Sequence, residues 1–245
     1  MSAAALDGDE AWAEGSFLDR IAPADRQELL TLGITRKVSS GRRLVTEGAR
    51  DTHVEVLRRG FAKITAAVNG ADRLLAIRLP GDLVGEFGAI TGQGRSATVT
   101  ACGDVVSTVI RQVDFLRLLD RRPAVAAQVT AVVGERLRCA NERRAEFAAY
   151  PVHIRLARVL AEIAASCGRI TNDELVIGVT LNHAELATLV GAATDTTQRA
   201  LRALRAHRLI RTGYRQIAVL DLAGLRALAA QGDRCWPGPG RDARR

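Results

Sequence analysis

Hydrophobic and polar residues alternate in short runs between about Val38 and Ile110, and glycine-bearing turns separate the runs. Segments such as RRLVTEG, THVEVLRRG, FAKITAAVNG and RLLAIRLPGD follow one another at intervals of roughly 8–12 residues, which is typical of all-β sandwiches and barrels. The pattern predicts five or more short strands in a sandwich or a double-stranded roll. Such turns need positive φ, and four glycines lie where they are expected: Gly48, Gly60, Gly70 and Gly81.

Helical periodicity flanks this strand region. The segment FLDRIAPADRQELLTLG predicts a short helix that ends at Gly33, with Pro23 opening its second turn. After Phe115 the strands stop, and VDFLRLLDRRP predicts another short helix. Pro123 then opens a long helix that runs to about Ala149 and spans about 40 Å.

The long helix carries a heptad-like series of positions on one face. This face can pack onto the strand domain or pair with a second copy of the chain. The dimer is favoured, because the helix is longer than the surface that a small roll can cover. Arg144 also falls on this face, so in a dimer its side chain must reach solvent or an acidic partner. The residues expected at the dimer contact are Val129, Val133, Leu137, Ala140 and Phe147.

The C-terminal third has the order of a winged helix–turn–helix. Tyr150–Pro151 ends the long helix, a further amphipathic helix closes at Gly168, and ELVIGVT predicts a strand. Asn182 and Glu185 form a variant of the capping box that starts a short helix. Gly191 supplies the tight turn before a second helix, and a hairpin around Gly213 predicts the wing.

The second of these helices has a buried and an exposed face. Ala200, Leu201 and Leu204 are expected to face inward, which leaves polar side chains able to meet bases and phosphates on the other side. His183, in the first turn of the motif, is interpreted as a phosphate contact or a surface residue. The expected DNA-binding residues are Asn182, His183, Thr194, Asp195, Thr196, Gln198, Arg199 and Arg202.

Charge and composition agree with a DNA-binding C-terminal part. The net charge is +8, and residues 151–245 hold 14 arginines against 8 acidic residues, which indicates a polyanionic partner.

No apolar run approaches a membrane span and no signal-peptide pattern opens the chain, so no membrane partner and a cytoplasmic location are expected. Cys102, Cys139, Cys167 and Cys235 lack metal-ligand spacing and are interpreted as reduced thiols.

The segment GEFGAITGQGRSATV places Glu86 and Arg95 at the two ends of a glycine-bearing loop. They can form an ordinary surface ion pair, or they can hold a ligand that has both a hydroxyl and a negative charge. A surface pair contributes only about 0–1 kcal/mol and does not require the glycines Gly88, Gly92 and Gly94. The second interpretation is therefore favoured.

From about residue 16 to 230 the chain resembles the cyclic AMP receptor/fumarate–nitrate regulator (Crp/Fnr) superfamily of bacterial transcription factors. GRRLVTEG, VLRRG, PGDLVGEFG, RSATV, the long helix and the winged helix–turn–helix arrive in the family's order. The resemblance implies an α+β fold in five parts. They are a mobile leader (1–15), a cyclic-nucleotide-binding β-roll (16–122), a dimerisation helix (123–150), a winged helix–turn–helix (151–230) and a disordered tail (231–245).

The resemblance also implies a ligand site in the roll. Glu86 would accept a hydrogen bond from a ribose 2′-hydroxyl, and Arg95 would pair with a cyclic phosphate, helped by Ser96 and the Gly85 backbone. No cofactor is required, and cyclic AMP is the ligand implied by analogy. The expected nucleotide-binding residues are Gly85, Glu86, Phe87, Arg95, Ser96, Ala97, Ala140 and Asn141.

Two departures from the family's pattern limit the analogy. Relatives that bind cyclic AMP commonly carry Thr-Ser or Thr-Asn where this chain has Ala140 and Asn141, so cyclic GMP, another nucleotide or activity without ligand stay open. Many relatives carry Arg-Glu where this chain has Thr194–Asp195, whereas Arg199 matches a base-contacting arginine. We therefore expect an operator that differs from the best-known one at one position.

The implied function is allosteric regulation of transcription. A homodimer would bind a palindromic operator in double-stranded DNA, and RNA polymerase would be a further partner. No catalytic residues are expected in this chain.

A haem or redox sensor on the same scaffold is an alternative, for which His53 and Cys102 lie in the roll region. A nucleotide-binding module without DNA activity is another, and the intact wing argues against it. His153 and His207 are isolated, and no GxSxG or Walker motif occurs, so the sequence does not favour an enzyme.

Overall fold

The computed structural model of the protein describes residues 12–171, 174–214 and 216–231. The chain divides into two units, Met1–Leu137 and Arg138–Arg245. Apart from Gln231, the tail predicted for residues 231–245 lies outside the described residues, and so do residues 1–11 of the predicted leader.

The first unit is built on antiparallel strands. β6 is central, because it pairs with β1, β2 and β3, and β3 also pairs with β4 and β5. The strands are β1 (Ile34–Val38), β2 (Arg43–Val45), β3 (Val54–Val68), β4 (Ala71–Arg78), β5 (Leu83–Val84) and β6 (Thr98–Ile110). The strand-rich region predicted from the alternating pattern is confirmed.

The turn predicted at Gly60 is wrong, because the chain does not reverse there. Gly60 has the expected positive φ of 83°, but it lies inside the 15-residue strand β3. The pairing of β3 with β6 shifts register on both sides of Arg59, so the chain bulges there instead of reversing. Gly70 does turn the chain, because Asn69 and Gly70 have φ values of 52° and 75° and form the two-residue connection from β3 to β4.

Among the described residues of this unit, five helices accompany the strands. They are α1 (Phe17–Arg20), α2 (Pro23–Thr31), α3 (Glu86–Thr91), α4 (Gln112–Arg121) and α5 (Pro123–Ala149). The single N-terminal helix predicted up to Gly33 is in fact two helices, because Ala22 precedes Pro23 and is extended, with ψ of 147°. The glycine-bearing loop predicted after Gly85 begins with helix α3, and Gly92 ends that helix with φ of 69°.

Residues 12–15, which were expected to belong to the mobile leader, pack against the roll. The side chain of Trp12 contacts the hydrophobic core. The backbone N–H of Ala13 donates to the carbonyl oxygen of Pro80 at 3.1 Å. These contacts fix the start of the described chain against the turn that follows β4.

The start of α5 belongs to the core of the first unit. Val125, Val129 and Val132 are buried together with residues of α1, α2 and α4. Val129 is only 2% exposed, so the prediction that it lies at a dimer contact is wrong. Further along the same face Leu137 is 63% exposed, so the heptad-like face is buried in one part and open in another.

The second unit surrounds a small four-stranded sheet with the order β7-β8-β10-β9. Its elements are α6 (Val152–Cys167), β7 (Gly168–Thr171), β8 (Glu174–Ile177), α7 (His183–Val190), α8 (Thr194–Ala206), β9 (Ile210–Gly213), β10 (Gln216–Val219) and α9 (Leu222–Ala229). The predicted helices, strand and wing hairpin are present, whereas β7 and α9 were not predicted. Among the described residues, no helix has both the length and the apolar character that crossing a membrane requires.

Candidate functional site

A cavity of about 230 Å³ lies in the first unit beside the start of α3. The six nucleotide-binding residues predicted in the roll line it, namely Gly85, Glu86, Phe87, Arg95, Ser96 and Ala97. Apolar side chains of the strands, Gly88 of α3, Arg78 of β4, and Val133 and Arg136 of α5 complete the wall. Ala140 and Asn141 are exposed residues of the second unit and are not among the residues that line this cavity.

Gly85 is required where the cavity meets α3. It has φ of 82° and forms the N-cap of the helix. A Cβ at this position would lie 2.7 Å from Nη1 of Arg95, which is closer than a side chain tolerates. The glycine therefore lets the guanidinium pass directly against the backbone.

Arg95 is the most enclosed charge in the cavity wall, with 1% of its side chain exposed. Nη1 donates to the carbonyl oxygen of Gly85 at 2.8 Å, and Nη2 donates to the carbonyl oxygen of His53 at 2.6 Å. Nε donates to the carboxylate of Asp51. Both backbone carbonyls and the carboxylate hold the guanidinium plane in one orientation.

Glu86 has a partner that the sequence did not indicate. Arg136 of α5 donates through Nη1 to the Glu86 carboxylate and through Nη2 to the carbonyl oxygen of Leu83 at 2.8 Å. Arg136 lies one helical turn before Ala140, so the i, i+4 spacing on the long helix was the available signal. The Glu86–Arg95 surface pair, which was the less favoured interpretation of this segment, does not form. Two separate ion pairs are present instead, Glu86–Arg136 and Asp51–Arg95.

A buried polar network adjoins Arg95. Glu55 is fully buried and accepts hydrogen bonds from Ser107 Oγ at 2.7 Å and from Arg36. The His53 ring bridges this network to the cavity, because Nε2 lies 3.1 Å from Glu55 and Nδ1 lies 3.4 Å from Nη2 of Arg95. Within the described ranges, no three His, Cys, Asp or Glu residues are grouped so that they could hold a metal ion.

The second unit holds the predicted helix–turn–helix. The capping box is confirmed, because Asn182 Oδ1 accepts the N–H of Glu185 and Glu185 Oε2 accepts the N–H of Asn182, both at 2.8 Å. Gly191 ends α7 with φ of 61°. The chain then turns into α8, on which Thr197, Ala200, Leu201 and Leu204 are buried.

The turn of this motif rests on an aromatic ring. A Cβ at Gly191 would lie 2.7 Å from the ring of Phe147. The Arg155 guanidinium stacks over that ring, 5.4 Å from its centroid, and donates to the Gly191 carbonyl oxygen at 3.3 Å. Burial lowers the pKa of Arg155 from its usual value. Phe147, predicted for the dimer contact, therefore supports the helix–turn–helix within its own chain.

The polar face of α8 is open. Thr194, Asp195, Arg199 and Arg202 are exposed, whereas Thr196 and Gln198 are half-buried. Thr196 accepts a hydrogen bond from Nη2 of Arg199 at 3.2 Å, and Gln198 Nε2 lies 3.2 Å from Nδ1 of His183. The first contact lies within α8, whereas the second joins the start of α7 to α8.

A concave surface, which encloses a pocket of about 280 Å³, extends from α8 to the wing. Its wall includes Arg202, Arg205 and Thr212, and Arg205 donates to Thr212 Oγ1 at 3.1 Å. Arg205 was not among the predicted DNA-binding residues, although it lies three residues after Arg202 on the same helix face. Tyr214, beyond the end of β9, is 93% exposed.

Two family models match this chain, one in each unit. Residues 35–122 match the cyclic nucleotide-binding domain family, and residues 154–228 match the Crp-like helix-turn-helix domain family. The protein belongs to the Crp/Fnr superfamily. As a Crp/Fnr regulator it is a DNA-binding transcription regulator with a cyclic-nucleotide-binding domain and a helix–turn–helix domain.

Individual relatives of this Crp/Fnr regulator come from bacteria. It is 29% identical over 162 residues to the cyclic AMP receptor protein of Thermus thermophilus, covering 66% of this chain and 72% of the relative. It is 27% identical, with the same coverage, to a Mycobacterium tuberculosis protein described as a CRP-like cAMP-activated global transcriptional regulator. The crystal structure of a CRP-family transcriptional regulator from T. thermophilus matches with a TM-score of 0.68 at 23% identity, covering 80% of this chain and 97% of that chain.

Proposed function

We propose that this Crp/Fnr regulator is a homodimer whose DNA binding is controlled by cyclic AMP bound in the cavity of the roll. The observation that carries the proposal is the cavity wall, where Glu86, Arg95 and Ser96 lie beside the N-terminus of α3. The names of the relatives from T. thermophilus and M. tuberculosis support cyclic AMP as the nucleotide.

The chemistry of the wall suits a ribose 3′,5′-cyclic phosphate. A guanidinium donates several hydrogen bonds to phosphate oxygens, and charge-assisted hydrogen bonds are roughly twice as strong as neutral ones. Arg95 would supply these bonds and the exposed Ser96 hydroxyl would add a further donor. The Glu86 carboxylate would accept from a ribose hydroxyl, and the apolar wall would cover the rest of the ligand.

The base is the least determined part of the ligand. Asn141 can donate and accept a hydrogen bond, whereas Ala140 cannot, and one lost hydrogen bond to the base costs about 0.5–1.5 kcal/mol. Cyclic GMP is therefore the second candidate, because the alanine at position 140 removes a contact that would select adenine.

DNA binding would use α8 from each of two protomers. In helix–turn–helix dimers the two recognition helices enter major grooves about 34–36 Å apart, which matches a palindromic operator. We propose that the bound nucleotide acts through α5 to set the orientation of the two recognition helices. RNA polymerase is proposed as the further partner of the DNA-bound dimer.

The test is calorimetric titration with cyclic AMP, cyclic GMP and AMP. The wild type should bind a cyclic nucleotide, and Arg95→Ala should weaken it by about 10-fold or more because a charge-assisted bond to the phosphate contributes about 1.5–3 kcal/mol. Ser96→Ala, a smaller change at an exposed position, should weaken binding by less. The matched control is Arg73→Ala, which removes an exposed arginine of β4.

Because Arg95 is buried, its substitution can abolish binding by destabilising the fold. Loss of binding in Arg95→Ala therefore supports the site only if the thermal unfolding profile is unchanged or if Ser96→Ala also binds more weakly. If the wild type binds neither cyclic AMP nor cyclic GMP, or if Arg95→Ala binds as tightly as Arg73→Ala, the cavity is not a cyclic nucleotide site.

A further inference from the structure

The N–H groups of Arg95 are almost fully used within the protein. A guanidinium has five of them. One is directed at the carboxylate of Asp51, one at the carbonyl oxygen of Gly85, and Nη2 faces both the carbonyl oxygen and the Nδ1 atom of His53. A single N–H of Nη1 is left for an incoming anion, so the group cannot present two parallel donors to a phosphate in this arrangement.

Three of these four acceptors cannot easily leave. The Gly85 carbonyl belongs to the backbone that caps α3, and the His53 carbonyl belongs to the backbone just before β3. The His53 ring is held on its other side by Glu55, which is fully buried. The Asp51 carboxylate differs from these three acceptors because rotation of its own side chain can withdraw it, and 43% of that side chain is exposed.

The Asp51 carboxylate is thus a negative group, already in contact with Arg95, that can move into solvent. A cyclic phosphate diester carries one negative charge, as does the carboxylate. If the phosphate takes the place of Asp51, the buried guanidinium keeps one anionic partner throughout. If both stay, two like charges share one guanidinium, which is unfavourable at distances of a few ångströms.

We infer that Asp51 is an internal competitor for the ligand's phosphate and sets the affinity of the cavity. This inference rests on the proposed function for the ligand, and it adds a residue that determines how much nucleotide is needed. Asp51 does not itself line the cavity. It acts by occupying Nε of Arg95 until the phosphate arrives.

A different role for Asp51 gives the opposite result. If the carboxylate only orients Arg95 and stays in place when the phosphate binds, its removal leaves the guanidinium less well positioned. Binding of an anion would then weaken. The sign of the change in affinity therefore separates a competitor from a positioning residue.

The substitution that tests this is Asp51→Asn, which removes the charge and keeps an oxygen that can accept from Nε. Cyclic AMP should bind about 10-fold tighter than to the wild type, since a hydrogen bond to a charged group is weakened and a repulsion is removed. The free protein should melt about 2 °C lower, because a half-exposed ion pair contributes little to stability. Tighter binding by a less stable protein is the signature of competition.

Two controls accompany the titration. Asp120→Asn removes an exposed carboxylate from α4 in the same unit and should leave the affinity for cyclic AMP unchanged. Adenosine, which has no phosphate, should bind the wild type and Asp51→Asn equally. Unchanged or weaker binding of cyclic AMP by Asp51→Asn overturns the inference, and so does an equal gain for adenosine.

Inorganic phosphate separates this inference from the proposed function. Its binding is followed by the NMR signal of the Arg95 Nε–H group, and Asp51→Asn should require less phosphate for half-saturation. If neither protein binds cyclic AMP but the variant binds phosphate more tightly, the proposed function fails and the competition stands. If both bind cyclic AMP and the substitution changes neither titration, the proposed function stands and the competition is wrong.

Discussion

Arg199 and Arg202 project from exposed positions on α8, one turn apart. Arg199 is steadied by its hydrogen bond to Thr196, whereas Arg202 borders the concave surface that reaches the wing. An arginine held by a neighbour loses less conformational freedom when it contacts a base. At the scale of single residues, Arg199 is therefore the better candidate for reading a base and Arg202 for contacting phosphate.

We predict that Arg199→Ala weakens binding to an operator selected from random DNA by about 1–3 kcal/mol and relaxes the preference at one base pair. Fluorescence anisotropy with the selected duplex and with single-base variants measures both effects. Arg226→Ala, which removes an exposed arginine of α9, is the matched control. A uniform loss across all duplexes would assign Arg199 to phosphate instead.

The residues that could be predicted are those whose role follows from a local motif. Glu86, Arg95 and Ser96 belong to one short segment, and its composition indicated an anion site. Asp51 and Arg136 could not be found in this way, because they meet Arg95 and Glu86 across 44 and 50 residues of chain. Contacts of that separation depend on how the strands and α5 pack, which local patterns do not specify.

At the scale of elements, α5 is one 27-residue helix with two environments. Its first turns are buried in the core of the roll, and its later positions Leu137 and Ala140 are exposed. The heptad-like pattern predicted one continuous contact, because a leucine or valine at such a position looks the same whether it meets its own domain or a second chain. The exposed part of the pattern is what remains available for a dimer.

We predict that Leu137→Glu shifts the protein from dimer to monomer, because a carboxylate at a helix–helix contact loses both apolar burial and solvation. Sedimentation velocity over a range of concentrations measures the change. Ala131→Glu places the same charge on a different face of α5, at another exposed position, and should leave the dimer intact. A monomeric wild type, or a Leu137→Glu variant that stays dimeric, contradicts the proposed contact.

Gly60 illustrates a second limit at this scale. A glycine after alternating residues predicted a turn, and its positive φ was correct. The chain nevertheless continues as β3. The glycine is required there because a Cβ would lie 2.3 Å from the Asp104 carbonyl oxygen on the neighbouring strand β6. A positive φ is shared by turns and bulges, and only the partner strand distinguishes them.

At the scale of the whole molecule, the cavity and the recognition helix lie in different units, and α5 contributes residues to both units. Ligand control of DNA binding would then be a coupling free energy between two sites, which is typically about 1–3 kcal/mol. Such coupling is reciprocal for binding equilibria.

We predict that a duplex carrying the operator increases the affinity for cyclic AMP by the same factor, about 5- to 150-fold, by which cyclic AMP increases the affinity for the operator. Calorimetry of cyclic AMP with and without the duplex gives one factor, and anisotropy of the duplex with and without cyclic AMP gives the other. A scrambled duplex is the control. Independent affinities would mean that the two sites are not coupled.

Gly191 has a consequence for reading natural sequence variation in this protein. The residue is on the surface, where substitutions are ordinarily harmless, yet its φ of 61° and the adjacent Phe147 ring leave no room for a Cβ. A variant with any other residue at 191 should therefore be scored as damaging even though solvent exposure alone would rank it as neutral. A smaller side chain at 147 would relieve the contact with the ring but not the strain of the positive φ at 191.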